Sequence, residues 1–477
     1  VMNIPLWRID WTRVATRWLP FADAATPDLP LPRLVRLALF QVSVGMATVL
    51  MVGTLNRVMI VELGVGAWLV SLMVGLPLLV APLRALIGYR SDTHRSFLGW
   101  KRVPFIWFGT GLQFGGLAIM PFALLLLSGE TALQLWAGHI AAAVAFLLVG
   151  AGLQTTQTAG LALATDLAPA SARPRVVALM YVMLLVGMVG CGALFGLLLA
   201  DFTPTKLVQV VQGTAVATVL LNLVALWKQE PRNSVRRRGE PTQPAEGFAA
   251  TWRRFAGQRS VKRLLVALGL GTAAFNMQDI ILEPYGGEVL GLTVGATTVL
   301  SALMAAGALA AFALAARLLG RGHDAHRIAG YGALVGLFAF SAVIFAEPLD
   351  APNLFRAGVV LIGFGGGLFS VGTLTAAMNL EHGGLNGLAM GAWGAVHATC
   401  AGVAIALGGV LRDLSGSLAA SGLFGSTLVN AATGYAVVYH LELLLLFATL
   451  VAIGPLVRPS PPAREAPAKF GLAEFPG

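Results

Sequence analysis

Long apolar runs alternate with short polar interruptions along the whole 477-residue chain. Twelve runs reach the roughly 20 residues that a helix needs to cross about 30 Å of hydrocarbon. They cover about 34–61, 66–88, 103–127, 134–165, 174–200, 205–228, 261–284, 292–319, 326–347, 354–379, 385–411 and 434–457. Only helices or closed barrels span lipid, and these Leu-, Ala-, Val- and Gly-rich runs lack the alternation of barrel strands. The pattern predicts an all-α polytopic membrane protein of twelve transmembrane helices.

The polar stretches organise those spans. Residues 1–33 precede the first one, and within them Trp7, Trp11, Val14 and Trp18 share a helical face beside Arg8, Arg13 and Arg17. A tryptophan stripe next to arginine suits a helix lying in the headgroup layer. The longest interruption, 230–260, carries Arg236, Arg237 and Arg238 and then a Pro-, Gly- and Glu-rich stretch. It reads as a linker between two six-helix bundles, 34–229 and 261–457. Phe248, Trp252 and Phe255 again share a face beside Arg253 and Arg254, as a second interfacial helix would. A Pro- and Ala-rich tail, 458–477, closes the chain.

One polar octet occurs twice. Gly88, Asp92, His94 and Arg95 recur in the same register as Gly320, Asp324, His326 and Arg327. Each octet follows the second span of its half, so the halves read as a parallel repeat, the arrangement of the major facilitator fold. Gly88 allows close helix approach, the aspartates can cap or pair with a helix end, and Arg95 and Arg327 hold the loops on one side. Asp92 and Asp324 are expected to pack against the opposite half as a gate or latch; a local cap is the alternative.

Composition agrees. Charged residues make up 11% of the chain and mean hydropathy is +0.79, against about 25% charged in soluble domains. The formal charge of +10 would suggest nucleic acid in a soluble protein, but here it follows from loop bias. Of the 32 basic residues, only Arg57, Lys206, Arg356 and Arg412 fall on the side opposite the N-terminus. Both termini are therefore expected in the cytoplasm. Cys191 and Cys400 sit in apolar runs and form no disulfide or metal pattern. Residues 1–30 lack the apolar core of a signal peptide.

Ionisable groups at bilayer depth are costly, so each one calls for a reason. The first half has none in mid-span and offers amides and hydroxyls instead: Gln41, Gln113, and Gln154 through Thr158, including Gln157. Span seven carries Asp279 and Glu283 at i, i+4, stacked on one face of a helix that Pro284 is read as finishing. They either couple a cation or proton to transport or lie at a solvated outer end. His139, His397 and His440 are candidate ligands for a planar pigment or ordinary interhelical hydrogen-bonding groups. His397 lies deepest, beside Trp393 and small residues. The 57 glycines favour close helix packing. The chain has no phosphate-binding loop, HExxH motif, nucleophile elbow or nucleotide fingerprint in context, so an enzyme is not expected.

Five stretches add a resemblance. GTLNRVMIVELGV (Gly53–Val65), PLRALIGYRSDTHRSFLGWKRVPFIW (Pro82–Trp107), TQTAGLALATDLA (Thr156–Ala168), FNMQDIILEPYGG (Phe275–Gly287) and GAWGAVHAT (Gly391–Thr399) resemble the PucC/LhaA family. This is the bacteriochlorophyll delivery branch of the major facilitator superfamily. The resemblance implies an assembly factor for light-harvesting complexes in the inner or intracytoplasmic photosynthetic membrane of a bacterium. It implies non-covalently held bacteriochlorophyll and no metal site of the protein's own. Its partners would be antenna polypeptides, the reaction centre, lipids and bacteriochlorophyll synthase or insertion machinery, with no nucleic acid. The core antenna around the reaction centre is preferred as client over the peripheral antenna. The family pattern has Gln where this chain has His397. A proton-coupled transporter of a small amphipathic or tetrapyrrole-like molecule is the alternative reading.

Overall fold

A computed structural model describes residues 29–79, 100, 102–128, 135–169, 172–230, 257–378, 386–423, 425, 427 and 429–457. The predicted interfacial helices, most of the linker, the tail and the first octet with Gly88, Asp92 and Arg95 lie outside these residues. The described residues contain helices and no strand. We number them α1 (Leu31–Glu62), α2 (Ala67–Leu79), α3 (Val103–Leu127), α4 (Leu135–Leu167), α5 (Arg173–Leu198) and α6 (Pro204–Leu226). The second six are α7 (Arg259–Glu288), α8 (Val294–Gly320), α9 (Ala325–Ala346), α10 (Pro352–Met378), α11 (Asn386–Ala420) and α12 (Ala432–Ile453). Eleven contain stretches long and apolar enough to cross a membrane. The remaining predicted span, 66–88, is described only as far as α2 reaches. This is a multi-pass membrane protein with a major-facilitator-type fold.

Local chemistry starts and stops these helices. Proline occupies the first turn of α1, α3, α5 and α6, where its missing N–H is no loss. Thr203 and Thr293 accept N-cap bonds from the amides of Lys206 and Ala296, and Glu230 accepts from the amides of Arg102 and Val103 to cap α3. Glu230 reaches them because Lys228 adopts a left-handed turn, φ 53°, after α6.

Arg33 Nη2 donates to the Gln229 carbonyl at 2.8 Å, and Arg263 Nε donates to the Ala452 carbonyl at 3.1 Å. These bonds place the starts of α1 and α7 beside the ends of α6 and α12, on what we call the terminal face. The opposite, distal face carries Arg57, Lys206 and Arg412. Across the middle, α2 packs on α11 and α5 on α8. The second helix of each six thus meets the fifth of the other, as two parallel repeats require.

Backbone contact is close at these joints. A Cβ added to Gly192 would stand 2.9 Å from Ala302 Cβ, and one added to Gly409 would stand 2.4 Å from the Ala67 carbonyl oxygen. Small residues let helices approach where lipid offers no hydrophobic drive. Within the first six helices, Ser43 donates to Asn222 at 2.9 Å, Asn222 to Thr110 at 2.8 Å, and Gln113 to Thr156 at 2.8 Å. These side chains tie helices together, whereas Thr155, Thr158 and Thr214 donate to carbonyls of their own helices. Gln41 is fully buried, and neither of its side-chain polar atoms has a partner among the described residues.

Candidate functional site

The polar centre of the molecule lies at the distal end of the seam, where α1 meets α7 and α8. From Val49 to Leu55 and from Val58 to Glu62, α1 winds in wide π-type turns. Such turns rotate side chains out of α-helical register and recur at functional positions. Here they bring Thr54, Asn56 and Arg57 onto the opposite half. Thr54 and Thr298 share a hydroxyl hydrogen bond of 3.2 Å, and Arg57 Nη2 donates to the Leu292 carbonyl at 3.3 Å. Arg57 also pairs with Glu62 on its own helix.

The partner segment is broken as well. α7 is α-helical to Asn276, tightens to a 3-10 turn over Met277–Ile280, and resumes as a short helix over Leu282–Glu288. A break frees backbone carbonyls, which must find donors inside a membrane. Asn56 Nδ2 supplies one, 3.3 Å from the Asp279 carbonyl and 3.4 Å from that of Ile280.

This corrects three expectations. Asp279 and Glu283 do not share one face of a continuous helix, because Asp279 lies in the 3-10 turn and Glu283 in the short helix that follows it. Pro284 does not end the helix: it sits in the first turn of the short one, where no N–H is needed. Nor is Glu283 at a solvated end. It is 2% exposed, accepts from Ser301 Oγ at 2.7 Å, and lies so close to Gly53 that an added Cβ would meet its Oε1 at 2.2 Å. Asp279 is half-buried and accepts from the Gln278 side-chain amide.

A third carboxyl joins this region from α12. Glu442 is fully buried, and neither oxygen has a hydrogen-bond partner among the described residues; the same is true of the Tyr439 hydroxyl. Sequence reasoning passed over Glu442, although one acid within HLELLLLF was signal enough. Asn56 and Ser301 carried no such signal, since their importance comes from what they face.

A second polar group closes the seam nearer the distal surface. Arg412 pairs with Glu288, donates to Asp413 at 2.7 Å and lies over the Tyr435 ring at 4.6 Å. Tyr435 donates to Glu288 at 2.7 Å. Asp413 in turn accepts from the Trp68 amide of α2 at 2.8 Å, which ties the two halves. The arrangement gives an ion-paired distal rim over a neutral hydrogen-bonded layer, with carboxyl groups held below it away from water.

The ring candidates are dispersed. Trp393 and His397 do meet: their rings stack at 4.9 Å and 20°, both half-buried, and Trp393 Nε1 donates to Thr373 at 3.3 Å. His139 is half-buried on α4 and His440 is exposed on α12. Gln154 and Gln157 are half-buried on α4, and Gln154 Oε1 has no partner among the described residues. No three His, Cys, Asp or Glu side chains among the described residues group as metal ligands.

Asp324 also differs from the gate expectation. Rather than reaching the other half, its carboxylate accepts from the Arg327 amide at 3.0 Å and caps α9, with His326 Nδ1 3.5 Å away. A short polar side chain just before a helix is best placed to satisfy that helix's own free amides.

The chain matches the family model described as PUCC protein over residues 54–460. It is 57% identical to Protein PucC of Rhodovulum sulfidophilum, over 84% of this chain and 90% of that one. It is 53% identical to a Rhodobacter capsulatus protein described as uncharacterized, in the puhA-bchM intergenic region, over 97% of this chain and 98% of that one. A more distant similarity, 28% over 80% of this chain and 87% of the other, is to the bacteriochlorophyll synthase 44.5 kDa chain of Rhodobacter capsulatus. Among solved structures, a bacterial homologue of the iron transporter ferroportin in its inward-facing state superposes with a TM-score of 0.65. That match has 15% identity and covers 89% of this chain and 98% of the other, a likeness of fold alone.

Proposed function

Because the chain belongs to the PucC family, we propose that it is an assembly factor for photosynthetic light-harvesting complexes. In this reading it holds or delivers bacteriochlorophyll while antenna polypeptides insert into the bacterial inner membrane. The core antenna is the proposed client ahead of the peripheral one. The observation that carries the reading is the 57% identity, over most of both chains, to a protein named PucC. The name of the more distant relative, a bacteriochlorophyll synthase chain, supports the choice of pigment.

The interior suits such a cargo. A neutral, largely apolar macrocycle needs flat surfaces and few charges, and away from the polar distal end the joints of α2 with α11 and of α5 with α8 are built on glycine and alanine contacts. Trp393, His397, His440, His139, Gln154 and Gln157 are the side chains proposed to touch pigment. The test is what accompanies the protein when it is purified from a pigment-making host. Bacteriochlorophyll absorbance and core-antenna polypeptides are expected in the same fraction; finding neither would overturn the reading.

The buried carboxyls favour a second reading. Asp279, Glu283 and Glu442 sit inside a fold shared with transporters, and intramembrane acids commonly mark proton pathways. Coupled transport of a small amphipathic molecule predicts gradient-driven flux in proteoliposomes that Asp279→Asn abolishes. Intact antenna assembly without any flux would count against it.

A further inference from the structure

The outward residues of α12, Val437, His440, Leu444, Phe447 and Val451, recur at steps of three and four and form one exposed stripe. All but one are apolar. The exception, His440, places Nδ1 2.7 Å from the carbonyl oxygen of Ala436, one turn back. A carbonyl oxygen only accepts, so Nδ1 holds the hydrogen in that bond. In the neutral ring Nε2 is then a lone-pair acceptor, and no donor among the described residues reaches it. An acceptor turned toward hydrocarbon without a partner carries a free-energy penalty, so an occupant that satisfies it is favoured.

The arrangement is the one that metal-ligating histidines adopt. One ring nitrogen donates to a backbone carbonyl, which fixes the tautomer and the ring orientation, and the other is left for the metal. Magnesium in a tetrapyrrole already has four equatorial nitrogens and accepts a neutral donor from the axial direction. The macrocycle around it is flat and apolar. Leu444 and Phe447, 65% and 57% exposed, continue the stripe on one side of His440 and offer the surface such a ring would cover.

We infer that His440 is an axial ligand for the magnesium of a tetrapyrrole that docks from the lipid onto the outer face of α12. This deepens the proposed function and rests on its pigment reading. It places one pigment contact on the perimeter of the bundle, where cargo can pass to a neighbouring membrane helix without traversing the seam.

The test uses the full chain in lipid nanodiscs, titrated with bacteriochlorophyll and in parallel with its magnesium-free form. The wild type is expected to bind the magnesium form roughly tenfold or more tightly than His440→Leu, the scale on which even outer-shell changes at a metal ligand act. It should also show an axial-coordination band in resonance Raman that the variant lacks. His440→Gln, whose amide oxygen can ligate, should recover part of both. The magnesium-free pigment should bind all three proteins alike, and their melting temperatures should agree because the site faces lipid. Equal affinity and an unchanged band in His440→Leu would overturn the inference and leave the pigment role standing. No uptake by the wild type would overturn both.

Discussion

Gly53 has room for a hydrogen and for little else. A methyl group there would meet Glu283 Oε1 and Ser301 Oγ, at 2.2 and 2.7 Å from its carbon. Ser301 supplies the one hydrogen bond to that carboxyl among the described residues, its Oε2 having none, so displacing it adds an electrostatic cost to a steric one. Gly53→Ala is expected to lower stability by about 1–3 kcal/mol, the usual cost of overpacking a filled interior. Thermal melts of the detergent-solubilised protein would measure it. At this scale the sequence was only partly legible. Each buried acid could be seen as an anomaly in an apolar run, but not what it faced. The three histidines illustrate the reason: α4, α11 and α12 are apolar nearly all round, so periodicity cannot separate a lipid face from a packed one. His440 and Glu442 stand two residues apart, one exposed and one fully buried.

Among elements, the existence of spans was readable and their irregularities were not. Hydropathy locates a span because every residue contributes to the sum. A break such as that over Met277–Ile280 depends on whether another chain segment can satisfy the freed carbonyls, and Asn56 does so from 223 residues away. Proline misled here because position within a turn decides whether it ends a helix or begins one. The repeated octet was a sounder guide, since Asp324 precedes α9 directly and caps it. Asp324→Ala should cost about 1 kcal/mol through loss of that cap, while Asp324→Asn should retain most of it. Melting temperatures would separate the two, and a loss shared by both variants would indicate a role for the charge beyond the cap.

For the whole molecule, the question is whether the seam moves. An added Cβ at Gly75 would stand 3.6 Å from Ala406 Cβ, within the separation a disulfide requires. Gly75→Cys with Ala406→Cys, made after replacing Cys191 and Cys400 by alanine, should crosslink α2 to α11 on oxidation. Antenna absorbance in cell membranes is then expected to persist if the protein serves as a holder of pigment. Its loss on crosslinking and return on reduction would show a working gate. The wide turns of α1 add a consequence for how such a seam can change over generations. Each packs one more residue into a turn than an α-helix needs. Deleting a single residue between Val49 and Leu55 would leave an intact, more regular helix. Because the wide turns carry that residue in excess of what an α-helix needs, everything beyond the deletion would keep nearly its present orientation. Asn56 and Arg57 would stay against the opposite half, and the chain would still fold and cross the membrane. A lineage could thus gain or lose one codon here while every span, and the junction between its halves, remained recognisable.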